Sequence, residues 1–127
     1  MAALVTVEAD ALLDATSGEA AYTAPTTPIK VALDTAVGSA TAAGTEVAGG
    51  SYARQTATFS AAASGSITTS AALTYTGMPA CTVTAVDEWD SAGTPVRRWW
   101  GLLTASKTVN AGDTFSIAAG SYTKALS

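Results

Sequence analysis

The stretch Cys81-Thr82-Val83-Thr84-Ala85-Val86-Asp87-Glu88-Trp89, then Asp90-Ser91-Ala92-Gly93-Thr94-Pro95, then Val96-Arg97-Arg98-Trp99-Trp100-Gly101-Leu102-Leu103, reads as two strands joined by a turn. Asp opens turns and Gly tolerates positive φ, so the central six residues close a hairpin between two β-prone runs. Strand alternation puts Cys81, Val83, Ala85, Asp87 and Trp89 on one face and Thr82, Thr84, Val86 and Glu88 on the other. The first set is expected to face the core. The return strand, Val96 to Leu103, would bring Trp99 or Trp100 beside Trp89 in a dense aromatic cluster. Arg97 and Arg98 would meet Asp87, Glu88 or Asp90 across the hairpin as ion pairs.

Working outward, Ile29-Lys30-Val31-Ala32-Leu33-Asp34 alternates as a half-buried strand, with Ile29, Val31 and Leu33 inward and Lys30, Ala32 and Asp34 outward. Residues 36–50, rich in Ala, Gly, Ser and Thr around a lone Glu46, read as a surface loop. Tyr52 to Phe59 and Ser66 to Thr76 favour strand, the second ending at Gly77-Met78-Pro79 because proline cannot donate to a ladder. Thr114 to Ala118 and Ser121 to Leu126 add two more, set off by the turns Asn110-Ala111-Gly112-Asp113 and Ala119-Gly120. Leu4, Val5, Ala9, Leu12 and Leu13 lie near helical spacing, with Glu8, Asp10 and Asp14 opposite. A short amphipathic helix ending near Ser17-Gly18 is therefore expected, needing a partner surface to persist. The prolines at 25 and 28 mark an extended connection.

The expected fold is mainly β, an antiparallel β-sandwich or open β-barrel with a short N-terminal helix. Residues 1–22 form the helix and arm, and 23–127 the β-sandwich domain. A chain of 127 residues accommodates one core. Apolar residues make up 48 % but aromatics only 7 %, so much of the apolar share is alanine and the core is expected to be thin. Charged residues are 13 %, about half the usual share, leaving a neutral Thr/Ser/Ala surface suited to lasting contact with neighbouring subunits.

Composition also excludes functions. The net charge is −4 and no basic run is longer than Arg97-Arg98, which argues against nucleic acid. No apolar run is long enough to cross a membrane, and the N-terminus lacks a secretory pattern, so synthesis in the cytoplasm is expected. With no histidine, the commonest general base and metal ligand is missing. No zinc spacing, phosphate-binding loop, dinucleotide fingerprint or EF-hand pattern appears, and neither catalysis nor a cofactor is expected. Cys81, the single cysteine, reads as a buried structural thiol. The acidic group Asp87, Glu88 and Asp90 reads as a strand end satisfied by the arginines; the alternative is a weak calcium site. Trp99 and Trp100 point to opposite faces, one toward the core and one outward as an interface anchor or sugar platform.

The strings Thr41-Ala42-Ala43-Gly44-Thr45-Glu46-Val47, Gly49-Gly50-Ser51-Tyr52-Ala53-Arg54-Gln55-Thr56, Thr74-Tyr75-Thr76-Gly77-Met78-Pro79-Ala80, Glu88 to Pro95, Trp99-Trp100-Gly101 and Asn110 to Phe115 occur in an order and spacing that resembles a family of small tailed-phage virion proteins. Members carry the labels head decoration, minor tail or tail fibre protein. The resemblance implies a structural virion component and no catalytic residues. The first expectation is a capsid decoration protein that binds the outer shell, with the major capsid protein and copies of itself, as a trimer, for partners. The alternative is a minor tail or tail fibre protein that binds the host surface; a tail-tube subunit is a third reading, for which the chain is short. Leu4, Leu12, Arg97, Trp99 and Trp100 are the interface candidates.

Overall fold

A computed structural model describes residues 2–126. The hairpin is its centre. β7 (Cys81–Trp89) and β8 (Arg97–Val109) pair antiparallel, and β7 pairs on its other edge with β2 (Lys30–Ala36). β3 (Thr45–Glu46) and β4 (Gln55–Thr56) continue from β2, and β1 (Ala3–Leu4) closes the other side against Trp100 and Trp99 of β8. The order β1-β8-β7-β2-β3, with β4 also on β2, makes a six-stranded sheet.

Two small antiparallel ladders form the second layer: β5 (Ser66–Thr68) with β10 (Thr123–Ala125), and β6 (Leu73–Tyr75) with β9 (Phe115–Ile117). Between the layers, Val31, Leu33, Val83 and Val86 meet Leu73, Tyr75, Phe115 and Tyr122, with Val47, Ala57 and Met78 filling in from loops. The fold is thus mainly β and sandwich-like, and the sheet does not close into a barrel. Aromatics compensate for the little burial that each alanine supplies: Tyr75 stacks on Tyr52 and tilts against Phe115, and Phe59 tilts against Tyr122. The Tyr75 hydroxyl also donates to the Val31 carbonyl at 3.0 Å.

Several expectations need correction. The single strand expected over Ser66 to Thr76 is two, β5 and β6. An irregularity between Val83 and Ala85 changes the face of β7 that meets the core, which is Cys81 and Val83 at its start but Val86 beyond, so Asp87 turns to the opposite face. β2 is not half-buried: Val31, Ala32, Leu33 and Asp34 are all buried, because the 37–44 loop covers the face that alternation assigns to solvent. The 36–50 segment is therefore more than a surface loop; it contributes β3, the buried Val47 and Glu46, which Arg54 grips through two hydrogen bonds. The aromatic cluster is not at the hairpin. A register shift between Glu88 and Trp89 sets Trp89 opposite Arg97, so Trp99 and Trp100 pair with Glu88 and Asp87 instead. Trp89 lies under the Arg54 guanidinium at 4.4 Å.

A last correction concerns the helix. α1 (Thr6–Thr16) starts after Leu4, which belongs to β1. Its inward stripe runs Val5, Glu8, Leu12 and Ala15, so Glu8, expected on the outer face, is 3 % exposed while Leu13 is 64 % exposed. Nothing caps its N-terminus with a side chain, and Gly18 at φ +78° ends it. Charge rather than leucine burial decides which face turns inward.

Candidate assembly surface

The turn organises the charged end of the hairpin. Asp90 Oδ1 accepts the Ala92 and Val96 N–H groups, and Ser91 is held by the Thr26 and Pro28 carbonyls of the proline-rich connection. With the turn fixed, Arg98 reaches two buried carboxylates: Nη1 donates to Glu8 Oε2 at 2.6 Å and Nη2 to Asp90 Oδ2 at 2.8 Å. Tyr22 donates its hydroxyl to the other Glu8 oxygen. Burial, then the Glu8 hydrogen bond, pushes the Tyr22 phenol up to about 12. Burial pushes the Asp90 carboxyl up, but the Val96 N–H and Arg98 outweigh it and hold Asp90 below its ordinary range.

The other acids of the group go elsewhere. Arg97 Nη1 donates to Asp87 Oδ1 at 3.0 Å and Nη2 to the Ser39 carbonyl at 2.6 Å. Glu88 is taken from the far end of the chain, by Lys124 Nζ at 3.0 Å and the Tyr122 hydroxyl at 3.1 Å. Burial raises the Glu88 carboxyl, and Lys124 only partly offsets it. Asp87, Glu88 and Asp90 thus each face a different cation, an arrangement that gives no shared oxygen cage. No group of three metal-ligating side chains occurs among the described residues. Four of the six Lys and Arg residues, Arg54, Arg97, Arg98 and Lys124, are committed to ion pairs.

The interface candidates separate in space. Leu4 lies opposite Trp99 in the β1–β8 ladder and is half-buried. Leu12 is half-buried on the inward stripe of α1, and Arg97 is occupied by Asp87 and Ser39. Trp99 packs on the core with the Lys124 ammonium 5.2 Å above its ring; Trp100 is half-buried on the opposite face, its indole N–H without a hydrogen-bond partner. Their alternation sends the two indoles apart, so they form no common platform for a sugar ring.

What the fold does expose lies elsewhere. Val7 is 70 % exposed, alongside Leu13 on the outer side of α1. Between the pairs Ala85↔Leu102 and Val83↔Lys107, Thr84 alone on β7 faces Leu103 to Ser106 on β8, so β8 bulges outward there. Leu102 stands on that rim, and beneath it a groove of about 290 Å³ is lined by Leu103, Phe115, Ile117, Tyr122 and the Lys107 side chain. β1 covers only Trp99 and Trp100 of this edge; the bulge and Lys107 blunt the remainder against indiscriminate pairing. Sequence reading did not find Glu8, Asp34 or Lys124, although the shortage of cations was a clue: Glu8 and Glu88 had to claim theirs, Arg98 and Lys124, from distant segments.

The arrangement turns the three carboxylates at the hairpin end inward, each onto its own cation, and leaves apolar side chains outward. Curated proteins yield no match to the chain. A family model described as podophage GP4 fiber I protein gp80 matches residues 3–124, spanning both sheet layers, the helix and the exposed rim. On that match the chain belongs to the podophage GP4 fiber I protein gp80 family, and is a tailed-phage structural protein.

Proposed function

We propose that this chain is a non-catalytic building block of a podophage tail fibre, which assembles with copies of itself and presents its outer surface toward the host cell. The family match over residues 3–124 carries this reading and supports it better than decoration of the capsid. The distribution of side chains agrees with it: four of the six cations are spent on internal ion pairs, while Val7, Leu13 and Leu102 are left outward as the kind of apolar contacts that permanent subunit interfaces use.

Cryo-electron microscopy of the virion, with an antibody to this chain as the marker, tests the assignment. Label on the tail appendages is the expected result. Label repeating over the head lattice would return the decoration reading, and absence of label from the particle would overturn a virion role. Separately, the purified chain added to host cells should slow adsorption of the phage if its surface contacts the receptor. Unaltered adsorption would confine its role to fibre architecture.

A further inference from the structure

Asp34 on β2 is 1 % exposed, and neither of its carboxylate oxygens has a hydrogen-bond donor. Its neighbour Asp87 on β7 is 2 % exposed but well supplied, taking the Gly44 N–H at 2.9 Å on Oδ2 and Arg97 on Oδ1. Both carboxyls sit under Gly44: a Cβ at that position would come within 2.6 Å of Asp34 Oδ2, so only glycine fits over the pair. Two ionised carboxylates in contact repel and can only accept; one proton turns Asp34 into a donor and removes both penalties. The charges around Asp34 do not supply that relief. Asp87 from β7 and Glu46 from β3 oppose its ionisation, while Arg97 from β8 and Arg54 before β4 favour it, but Arg97 is bound to Asp87 and Arg54 to Glu46.

The loop over this pair is tied down at several points. Gly44 N–H binds Asp87, the Ser39 carbonyl accepts from Arg97, and the Ala40 carbonyl accepts the Thr6 N–H at the first turn of α1. We propose that a single proton held between Asp34 and Asp87 fastens the 37–44 loop, and through it the start of α1, to the sheet, so that this clasp loosens as the medium turns alkaline. Burial first, then Asp87, pushes the Asp34 carboxyl up to about 8. With a folded value above the unfolded one, its contribution is fully present below the unfolded carboxyl range near 4 and is lost as pH rises through about 8. In that window the opening equilibrium of the loop should rise by up to about tenfold per pH unit, the limit for one proton.

The test is NMR on the full chain, following the Asp34 side-chain carboxyl carbon and the protection factors of the Gly44 and Ala42 amides from pH 5 to pH 9.5. The expected result is a carboxyl that titrates far above the ordinary range, with loop protection falling over the same interval. Asp34→Asn supplies a permanent donor of the same shape and should remove the pH dependence of the loop while leaving the sheet amides unchanged. An ordinary, acidic titration of Asp34 in the wild-type chain, or identical pH profiles for the loop in wild type and Asp34→Asn, would overturn the clasp. The carboxyl measurement stands even if the variant folds poorly.

Discussion

Arg98 holds two buried carboxylates that come from separate elements, Glu8 on α1 and Asp90 at the hairpin turn. Truncating it leaves both charges buried without a cation, and removing one partner of a buried pair typically costs about 3–5 kcal/mol. Arg98→Ala should lose stability of that order in urea unfolding. Arg98→Lys should recover only part of it, since one ammonium lacks the fork that reaches both acids. The acids also set opposing pH responses. Asp90 is held below its ordinary range, so its stabilisation is present above the unfolded carboxyl value and fades as pH falls through its folded one; Asp90→Asn should flatten the acid limb of the stability profile. Glu88 is raised, so its contribution is present below the unfolded value and declines as pH rises through the folded one, and Glu88→Gln should flatten that decline. Thermal unfolding across a pH series distinguishes the two slopes.

At the scale of elements, α1 is a helix of three turns with no side-chain cap, anchored by Glu8 and by the Val5 and Thr6 N–H bonds to Arg98 and Ala40. Its outer side chains add nothing to the isolated fold: Val7→Glu with Leu13→Glu should change unfolding free energy by less than about 0.5 kcal/mol per site, the usual range for exposed positions. If α1 is an assembly contact, the same double variant should shift sedimentation toward smaller species. An unshifted profile would move attention to the Leu102 rim of β8, where Leu102→Lys is the matching variant. The two central strands behave differently, because layers cover both faces of β2 and of the second half of β7.

For the molecule as a whole, one core between a six-stranded sheet and two short ladders carries the fold. Leu33 is fully buried in the middle of it, and Leu33→Ala should cost about 2–5 kcal/mol, with the spread set by how far the site collapses. In a domain whose total stability is of order 5–15 kcal/mol, that single change approaches the folding threshold. A cooperative loss of all β signal in one transition is expected, because β2, β7 and both ladders share this core. The outward apolar positions lie outside it, so charged substitutions there should leave the subunit folded.

By itself the sequence determined the β class, the boundaries of β7, the turn at 90–95, and that Arg97 and Arg98 meet acids from the set Asp87, Glu88 and Asp90 across the hairpin. All of these rest on local alternation, turn chemistry or the reach of adjacent strands, which a linear reading contains. Its resemblance to tailed-phage virion proteins also agrees with the family match, which supports the fibre alternative better than the capsid one. Only the tertiary structure decided that Glu8 turns inward, that Lys124 answers Glu88, that Trp89 misses the other tryptophans, and that the 37–44 loop buries Asp34. Each of those depends on a partner tens of residues away or on a bulge that resets register. Periodicity reports which residues share a face; it does not report what comes to cover that face.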